Sequence, residues 1–224
     1  MKKAVVLLSG GLDSATTLYY AKAKGYKCYC LLFDYGQRHG REIKSAKRIA
    51  NKAGCEFRVL KVSLPWKGSS LLDKKMMLPV SRDPLPETIP STYVPGRNII
   101  FLSFALSYAE AICAGKIFIG ANAIDYSGYP DCRPQFIEAF NKVIEKGTKV
   151  GVRGTGHGVR LKVEAPLILK SKKEIVKLAR RLCVPLELTW SCYKGKAKPC
   201  GVCDSCVLRT KGFKEAKLED PLYG

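Results

Sequence analysis

The side chains with the clearest chemical potential form the hexapeptide Ser9-Gly10-Gly11-Leu12-Asp13-Ser14, directly after an apolar run from Ala4 to Leu8. The uninterrupted run predicts a strand buried on both faces of a parallel sheet, and apolar residues at helical spacing predict a helix from Leu12 to Ala23. Two glycines between these elements let backbone N–H groups approach a ligand at the positive end of the helix dipole. The hexapeptide therefore predicts an anion site, with a tight turn that binds no ligand as the alternative.

A second reactive group lies near the C-terminus, where four cysteines fall in a short span: Cys192, Cys200, Cys203 and Cys206. The last three have C-x-x-C-x-x-C spacing, and four thiolates match a tetrahedral zinc site. A closed site with four cysteines leaves no position for a substrate, so we predict one structural Zn²⁺. The alternatives are an iron–sulfur cluster, redox or catalytic thiols, and buried cysteines that bind no ligand.

The elements that must position these groups alternate between apolar runs and amphipathic segments. Strands are predicted at 4–8, 27–33, 56–62, 116–121 and 160–165, and helices at 12–23, 41–53, 98–114, 134–146 and 171–182. The alternation predicts an α/β fold: a Rossmann-like parallel sheet with helices on both faces.

The chain divides into two predicted regions of unequal size. Residues 1–185 are assigned to the α/β domain that carries the anion-binding loop, and the proline-rich stretch 65–95 forms an irregular insertion in it. Residues 186–224 are assigned to a small zinc-binding region. The glycine-rich stretch 151–158 is predicted to be mobile.

Composition limits the classes of protein to which the chain can belong. At 224 residues with 46% hydrophobic and 26% charged residues, it is typical of a globular protein. No apolar stretch approaches the roughly 20 residues needed to cross a bilayer, and the first strand begins at once, so we expect a cytoplasmic protein without a leader. The net charge of +20 favours anionic ligands. Because the basic residues are scattered, direct nucleic-acid binding is not expected.

The hexapeptide resembles the pyrophosphate loop of the N-type ATP pyrophosphatases, which have the adenine nucleotide alpha hydrolase-like fold, split ATP between the α- and β-phosphates and transfer AMP. The resemblance implies that the loop holds pyrophosphate and that Asp13 helps to hold Mg²⁺. Asp13, Ser14 and Arg38 are then the predicted catalytic residues. The predicted ATP-binding residues are Leu8, Ser9, Gly10, Gly11, Leu12, Asp13, Ser14, Ala15, Thr16, Thr17 and Leu18.

Four stretches together resemble the 7-cyano-7-deazaguanine synthase family of queuosine and archaeosine biosynthesis. They are SGGLDS at 9–14, FDYGQRH at 33–39, YVPGRN at 93–98 and DYSGYPDCR at 125–133, with the terminal cysteines completing the pattern. The resemblance implies conversion of 7-carboxy-7-deazaguanine, ammonium and ATP to the nitrile. The steps are adenylation of the acid, capture by ammonia, adenylation of the amide and loss of AMP. It also implies a homodimer. We expect no glutaminase domain, so free ammonium is the predicted nitrogen source.

The substrate pocket is predicted from polar and aromatic residues in these motifs. Asp125 or Asp131 would accept from the N–H edge of the base, or else only make hydrogen bonds within a turn. Tyr126 or Tyr129 would stack on the ring, and Arg97, beside Asn98, or Arg133 would meet the substrate carboxylate. Two histidines are weaker candidates: His39, which with Arg38 could reach phosphates, and His157.

Two other functions remain open at this stage. A tRNA thiolation adenylase would share the pyrophosphate loop, and the net charge of +20 keeps this function open. We do not expect the N-terminal tRNA-binding module of such an enzyme, because the first strand is predicted to begin near Lys3. A zinc-ribbon RNA-binding protein without catalysis would use the loop only as a turn. ATP turnover that depends on a deazapurine acid and ammonium separates these possibilities.

Overall fold

The computed structural model describes residues 1–66, 68–79, 89–124, 128–153 and 160–223. Within these residues, five strands form one parallel sheet in the order β3-β2-β1-β4-β5. The strands are β1 (Lys3–Leu7), β2 (Lys27–Asp34), β3 (Glu56–Lys61), β4 (Lys116–Phe118) and β5 (Lys162–Glu164). The strand order changes direction at β1, whose neighbours are β2 and β4.

Helices cover both faces of this sheet, which confirms the predicted fold class. Residues of β1 alternate between two core clusters: Ala4 and Val6 face one side, and Val5 and Leu7 face the other. The described helices are α1 (Leu12–Ala23), α2 (Arg41–Lys52), α3 (Arg97–Ala111), α4 (Pro134–Gly147), α5 (Lys149–Arg153), α6 (Lys172–Arg181) and α7 (Asp204–Ala216), with 3₁₀ turns at Pro130–Cys132 and Leu186–Leu188. Residues of α1, α2, α6 and α7 pack on the first side, and residues of α3 and α4 on the second.

Helix α7 is an element that the sequence analysis did not predict. It begins next to Cys203, and its Phe213 and Ala216 lie in the same core cluster as α1 and α6. The C-terminal region therefore packs on the sheet domain through buried apolar side chains. The boundary at 185/186 remains a prediction.

The stretch 65–95 was predicted to be irregular and the stretch 151–158 to be mobile, and the structure of the two is different. The described part of 65–95 contains turns and no helix or strand. The first residue of the glycine-rich stretch, Gly151, instead lies inside α5. An ideal Cβ on Gly151 would lie 2.6 Å from the Glu145 carbonyl oxygen of α4, so only glycine allows the two helices to pack this closely. Residues 154–159, including His157, lie outside the described residues.

No helix in the part of the chain that the structure describes has both the length and the apolar character needed to cross a membrane.

Candidate active site at the β1–α1 loop

The loop between β1 and α1 lies at the carboxyl end of the sheet, where ligands bind in open α/β folds. Gly10 has a φ of +89°, and an ideal Cβ there would lie 2.7 Å from the Ala46 backbone nitrogen. Any side chain at position 10 would therefore be strained and would collide with α2. Gly120, which follows β4, packs equally closely against the start of α1, because an ideal Cβ on Gly120 would lie 2.9 Å from the Ser14 nitrogen.

Ser14 closes this loop. Its hydroxyl accepts from the Ser9 N–H at 3.2 Å and donates to the Gly11 carbonyl at 3.1 Å. Gly11 is the N-cap of α1, and no side chain caps the helix. The first backbone N–H groups of α1 are thus available to an anionic ligand, as the double glycine predicted.

Asp13 forms an ion pair that the sequence analysis did not anticipate. The Lys172 Nζ, at the start of α6, lies 2.8 Å from both carboxylate oxygens of Asp13. Side-chain exposures of 10% for Lys172 and 16% for Asp13 limit screening by solvent. A capping box at Ser171 and Glu174 begins α6 and thereby fixes the position of Lys172.

Gly212 in α7 provides the space that the Lys172 side chain occupies. An ideal Cβ on Gly212 would lie 2.9 Å from the Lys172 Cβ and still closer to its Cγ. A helix from the C-terminal region therefore bounds the path along which Lys172 reaches Asp13.

A cavity of about 230 Å³ opens beside the loop. Its lining includes a loop group, which comprises Ser9, Gly11, Asp13, Ser14 and Lys172. It also includes an aromatic group, which comprises Phe33, Tyr35, Phe101, Tyr129 and the cation Arg97. The arrangement brings phosphate-binding chemistry and a surface suited to a planar ring into one cavity.

Arg97 supplies a fixed positive charge within the aromatic group. Its Nη1 donates to the Tyr35 hydroxyl at 3.4 Å, and its guanidinium lies 5.9 Å from the centre of that ring. Burial lowers the pKa of Arg97, but the neighbouring Tyr35, Tyr129 and Asp131 raise it more, and the net direction is upward. The guanidinium therefore stays protonated and can bind a carboxylate through two parallel hydrogen bonds.

Asp131 lies behind Arg97 rather than in the cavity lining. Its carboxylate accepts from the Asn98 backbone N–H at 3.1 Å, and the Asn98 side-chain amide donates to the Asp131 carbonyl, also at 3.1 Å. Burial raises the pKa of Asp131, while the Asn98 N–H and Arg97 oppose that shift. The carboxylate thus holds the N-terminus of α3, and with it Arg97, in place.

The other predicted pocket residues have different surroundings. Tyr129 lines the cavity, and its hydroxyl lies 2.5 Å from the Thr92 Oγ1. Arg133 is exposed at the N-cap of α4 and lies outside the cavity lining. Asp125 and Tyr126 fall outside the described residues.

The ATP-binding prediction for residues 8–18 divides into two groups. Leu8, Leu12 and members of the loop group line the cavity. The other five residues do not line the cavity. Gly10 packs against α2, and four side chains are buried in or beside the core beneath α1 and support the loop from behind: Ala15, Thr16, Thr17 and Leu18.

Arg38 and His39 contact other parts of the chain. Arg38 donates to the carbonyl oxygens of Ser70, Asp73 and Met76, and so fastens the irregular 65–95 stretch to the end of β2. The His39 Nε2 lies 3.0 Å from the Cys192 carbonyl oxygen. Neither residue lines the cavity, and a catalytic role for Arg38 stays a prediction.

The four C-terminal cysteines meet at one point. Their sulfur atoms all lie within 4.8 Å of one another, and those of Cys200 and Cys206 are 4.0 Å apart. A tetrahedral Zn–S₄ site, with bonds near 2.3 Å, requires sulfur separations of about 3.8 Å. Backbone N–H groups of Lys194 and Cys200 donate to the Cys192 sulfur. The thiols of Cys203 and Cys206, followed by these N–H groups, lower the pKa of Cys192. The short separations of the four sulfur atoms fit a metal cation.

This cysteine cluster is joined to the loop through Trp190. The Trp190 N–H donates to the Gly10 carbonyl at 2.8 Å, and its indole N–H donates to the Cys192 carbonyl at 2.9 Å. The guanidinium of Arg41 lies 4.3 Å from the centre of the indole ring. The sequence predicted the grouping of the four cysteines but not this link to the loop.

Helix α7 completes the cavity wall with Ser205, Leu208 and Arg209. The buried Arg209 guanidinium donates to both oxygens of Asp220, at 2.6 and 2.8 Å, and to the Thr189 hydroxyl at 2.7 Å. This ion pair ties α7 to the residues on both sides of the cysteine cluster.

Comparison with known proteins agrees with the resemblance in the motifs. A model of the family described as "Queuosine biosynthesis protein QueC" matches residues 3–217. The chain is 53% identical over 224 residues to 7-cyano-7-deazaguanine synthase from Trichodesmium erythraeum (strain IMS101), covering 98% of this chain and 99% of the relative. It is 52% identical over 223 residues to the same-named protein of Thermoplasma acidophilum, covering 99% and 91%. Among solved structures, NMN synthetase from Francisella tularensis aligns with a TM-score of 0.49 and 14% identity, over 96% of this chain and 87% of that chain. The chain belongs to the QueC family of queuosine biosynthesis proteins.

Proposed function

We propose that this protein is an ATP-dependent ligase that converts 7-carboxy-7-deazaguanine and ammonia to 7-cyano-7-deazaguanine by two successive adenylations. Its relatives carry the name of that synthase. The observation that carries the proposal is the shared cavity, in which the uncapped N-terminus of α1 and Lys172 line the same space as Arg97 and the aromatic group. ATP and a planar, anionic substrate can therefore bind side by side.

The loop group would hold the nucleotide. Backbone N–H groups at the start of α1 bind the β- and γ-phosphates, and Lys172 adds a positive charge against the pyrophosphate as it leaves. Asp13 is the carboxylate in this group that fits Mg²⁺ together with phosphate oxygens. Bound there, Mg²⁺ would neutralise charge on the leaving group.

The aromatic group would hold the deazapurine. Arg97 pairs with the substrate carboxylate and directs one of its oxygens towards the α-phosphate of ATP. Tyr35, Phe101 and Tyr129 provide ring faces and edges against which a purine-like ring can pack. After ammonia replaces AMP, the amide oxygen occupies the position of the carboxylate oxygen, so one cavity serves both activations.

The cysteine cluster would hold a structural Zn²⁺. Four thiolates close the coordination shell, so the metal fixes the C-terminal region and takes no substrate. Binding of this kind contributes on the order of 10 kcal/mol to folding. Free ammonium as nitrogen source, a homodimer, the two-region division and a cytoplasmic location belong to the same proposal.

The test is mass spectrometry of products after incubation with 7-carboxy-7-deazaguanine, ATP, Mg²⁺ and ammonium. We expect the nitrile, together with AMP and pyrophosphate, and none of these without the acid. Production of ADP instead of AMP would overturn the proposal. Pyrophosphate release stimulated by tRNA and sulfide would identify a tRNA thiolation adenylase instead. RNA binding without any turnover of ATP would point to a non-catalytic protein.

A further inference from the structure

The proposed reaction, on which this inference rests, has a proton requirement that the phosphate chemistry does not meet. Ammonia enters with three N–H bonds, and the nitrile nitrogen has none. Three protons must therefore leave the same nitrogen inside the cavity. A group that accepts them has to line the cavity and be free to ionise near neutral pH.

Among the described residues that line the cavity, two carry carboxyl groups: Asp13 and Glu42. Asp13 has both oxygens on the Lys172 ammonium group. Two other ionisable lining groups remain protonated, because burial raises the pKa of the Cys132 thiol to about 12 and raises that of the Tyr35 hydroxyl. Glu42 is left as the carboxyl group able to accept a proton.

Glu42 is positioned by the same contact that fixes the loop. It lies in the first turn of α2, which packs so closely against Gly10 that no Cβ fits between them. Its half-buried side chain lines the cavity, and in the described part of the chain its carboxylate makes no hydrogen bond. Burial raises the pKa of Glu42 to about 7, Arg97 lowers it, and Cys192 raises it.

We propose that Glu42 is the general base that removes protons from the substrate nitrogen. When ammonia adds to the acyl adenylate, the nitrogen lone pair forms the C–N bond, AMP leaves with the C–O pair, and Glu42 takes the first proton. In the second activation, the amide oxygen attacks the α-phosphorus of ATP and pyrophosphate leaves. Glu42 takes the second proton from the nitrogen, and the electron pair of the broken N–H bond forms the C=N bond. The last N–H pair forms the nitrile as the second AMP leaves, and Glu42 takes the third proton. Each proton passes to water before the next transfer.

Two partial reactions separate this role from substrate binding. Exchange of pyrophosphate into ATP with the acid alone involves no N–H bond, whereas conversion of the amide to the nitrile with ATP removes two protons and needs no ammonia. For the Glu42→Gln variant, we expect the rate of acid-dependent pyrophosphate exchange to stay within about threefold of the wild-type rate. Amide conversion should fall by about 10²-fold or more, the usual contribution of a general base. Retained exchange also shows that the variant is folded.

The pH dependence of amide conversion gives a second readout. In the wild type the rate should rise with pH through about 7, because Glu42 must be deprotonated to act. That rise should be absent in Glu42→Gln. Other titratable or charged groups around Glu42 are Tyr35, Arg38, His39, Arg97, Cys192 and Tyr193. A rise that persists in Glu42→Gln would belong to one of them and would overturn the proposal.

The matched control is Glu138→Gln, at an exposed glutamate of α4 paired with Lys142, which should leave both partial reactions unchanged. Equal losses in exchange and amide conversion in Glu42→Gln would show that Glu42 only positions the substrate and would refute its role as a base. Full amide conversion would refute it as well. If the wild type itself catalyses no acid-dependent exchange of pyrophosphate into ATP, the proposed function is refuted. That result differs from the two results for Glu42→Gln that would refute only its role as a base.

Discussion

Replacing Gly212 by alanine should damage catalysis from a position with no catalytic group. The new Cβ would lie 2.9 Å from the Lys172 Cβ and still closer to its Cγ, whereas carbon atoms in contact are about 3.5–4.0 Å apart. The lysine stem must therefore move by roughly 1 Å. Its Nζ, now 2.8 Å from both Asp13 oxygens, then leaves the position from which we propose that it contacts the pyrophosphate. A displacement of that size lowers turnover by about 10²-fold.

The change in stability should be small by comparison. Alanine favours a helix over glycine by about 1 kcal/mol, which offsets part of the roughly 1–3 kcal/mol that overpacking costs. We would measure acid-dependent pyrophosphate release and the thermal midpoint of Gly212→Ala, Lys172→Met and the double variant. Since both changes act on one side chain, their effects on turnover should not add.

Gly147→Ala is the matched control, because a Cβ at that helical glycine meets nothing within 4 Å. It should leave pyrophosphate release unchanged. Normal turnover in Gly212→Ala, or additive losses in the double variant, would refute the argument that Gly212 acts through Lys172.

Three further changes test other parts of the site. Cys203→Ser, or removal of the metal by a chelator, should lower the thermal midpoint by at least about 10 °C and weaken ATP binding measured by calorimetry. Asp220→Asn leaves the buried Arg209 without its charge partner, so chemical denaturation should show a loss of about 3–5 kcal/mol, partly recovered in Arg209→Met/Asp220→Asn. Asp131→Ala removes the acceptor that holds α3, so the KM for the acid should rise about tenfold in steady-state kinetics with a smaller change in kcat.

The sequence predicted the sheet and most helices because their periodicity is strong and local. Helix α7 was not predicted because it begins within the cysteine motif, whose spacing is typical of metal ligands rather than of a helix. Cys203 is the N-cap of α7 and Cys206 lies in its first turn, and both are also candidate metal ligands. The capping box at Ser171 predicted where α6 begins. Nothing local indicated that Lys172, its first residue, would meet Asp13 at the other end of the chain.

The candidate pocket shows a similar limit. Motif residues identified Arg97 and Tyr129 as candidates, and both line the cavity. Asp131 is of a residue type that could accept hydrogen bonds from a guanine-like base, yet its carboxylate instead accepts one from the Asn98 backbone N–H at the start of α3. Glu42 resembles any polar residue on an amphipathic helix, and only the packing of α2 against Gly10 brings it to the cavity wall. Such roles depend on three-dimensional neighbours that spacing alone does not encode.

The hydrogen bond from Trp190 to the Gly10 carbonyl has a consequence for biosynthesis of the protein itself. The ribosome makes the Gly10 loop among the first residues of this sequence, but its partners on the C-terminal side appear only after the sheet strands have been translated. A nascent chain can therefore fold its sheet and still lack a finished nucleotide site. We therefore expect the proposed ATP site to be complete only after the cysteine-bearing segment has docked against the Gly10 loop.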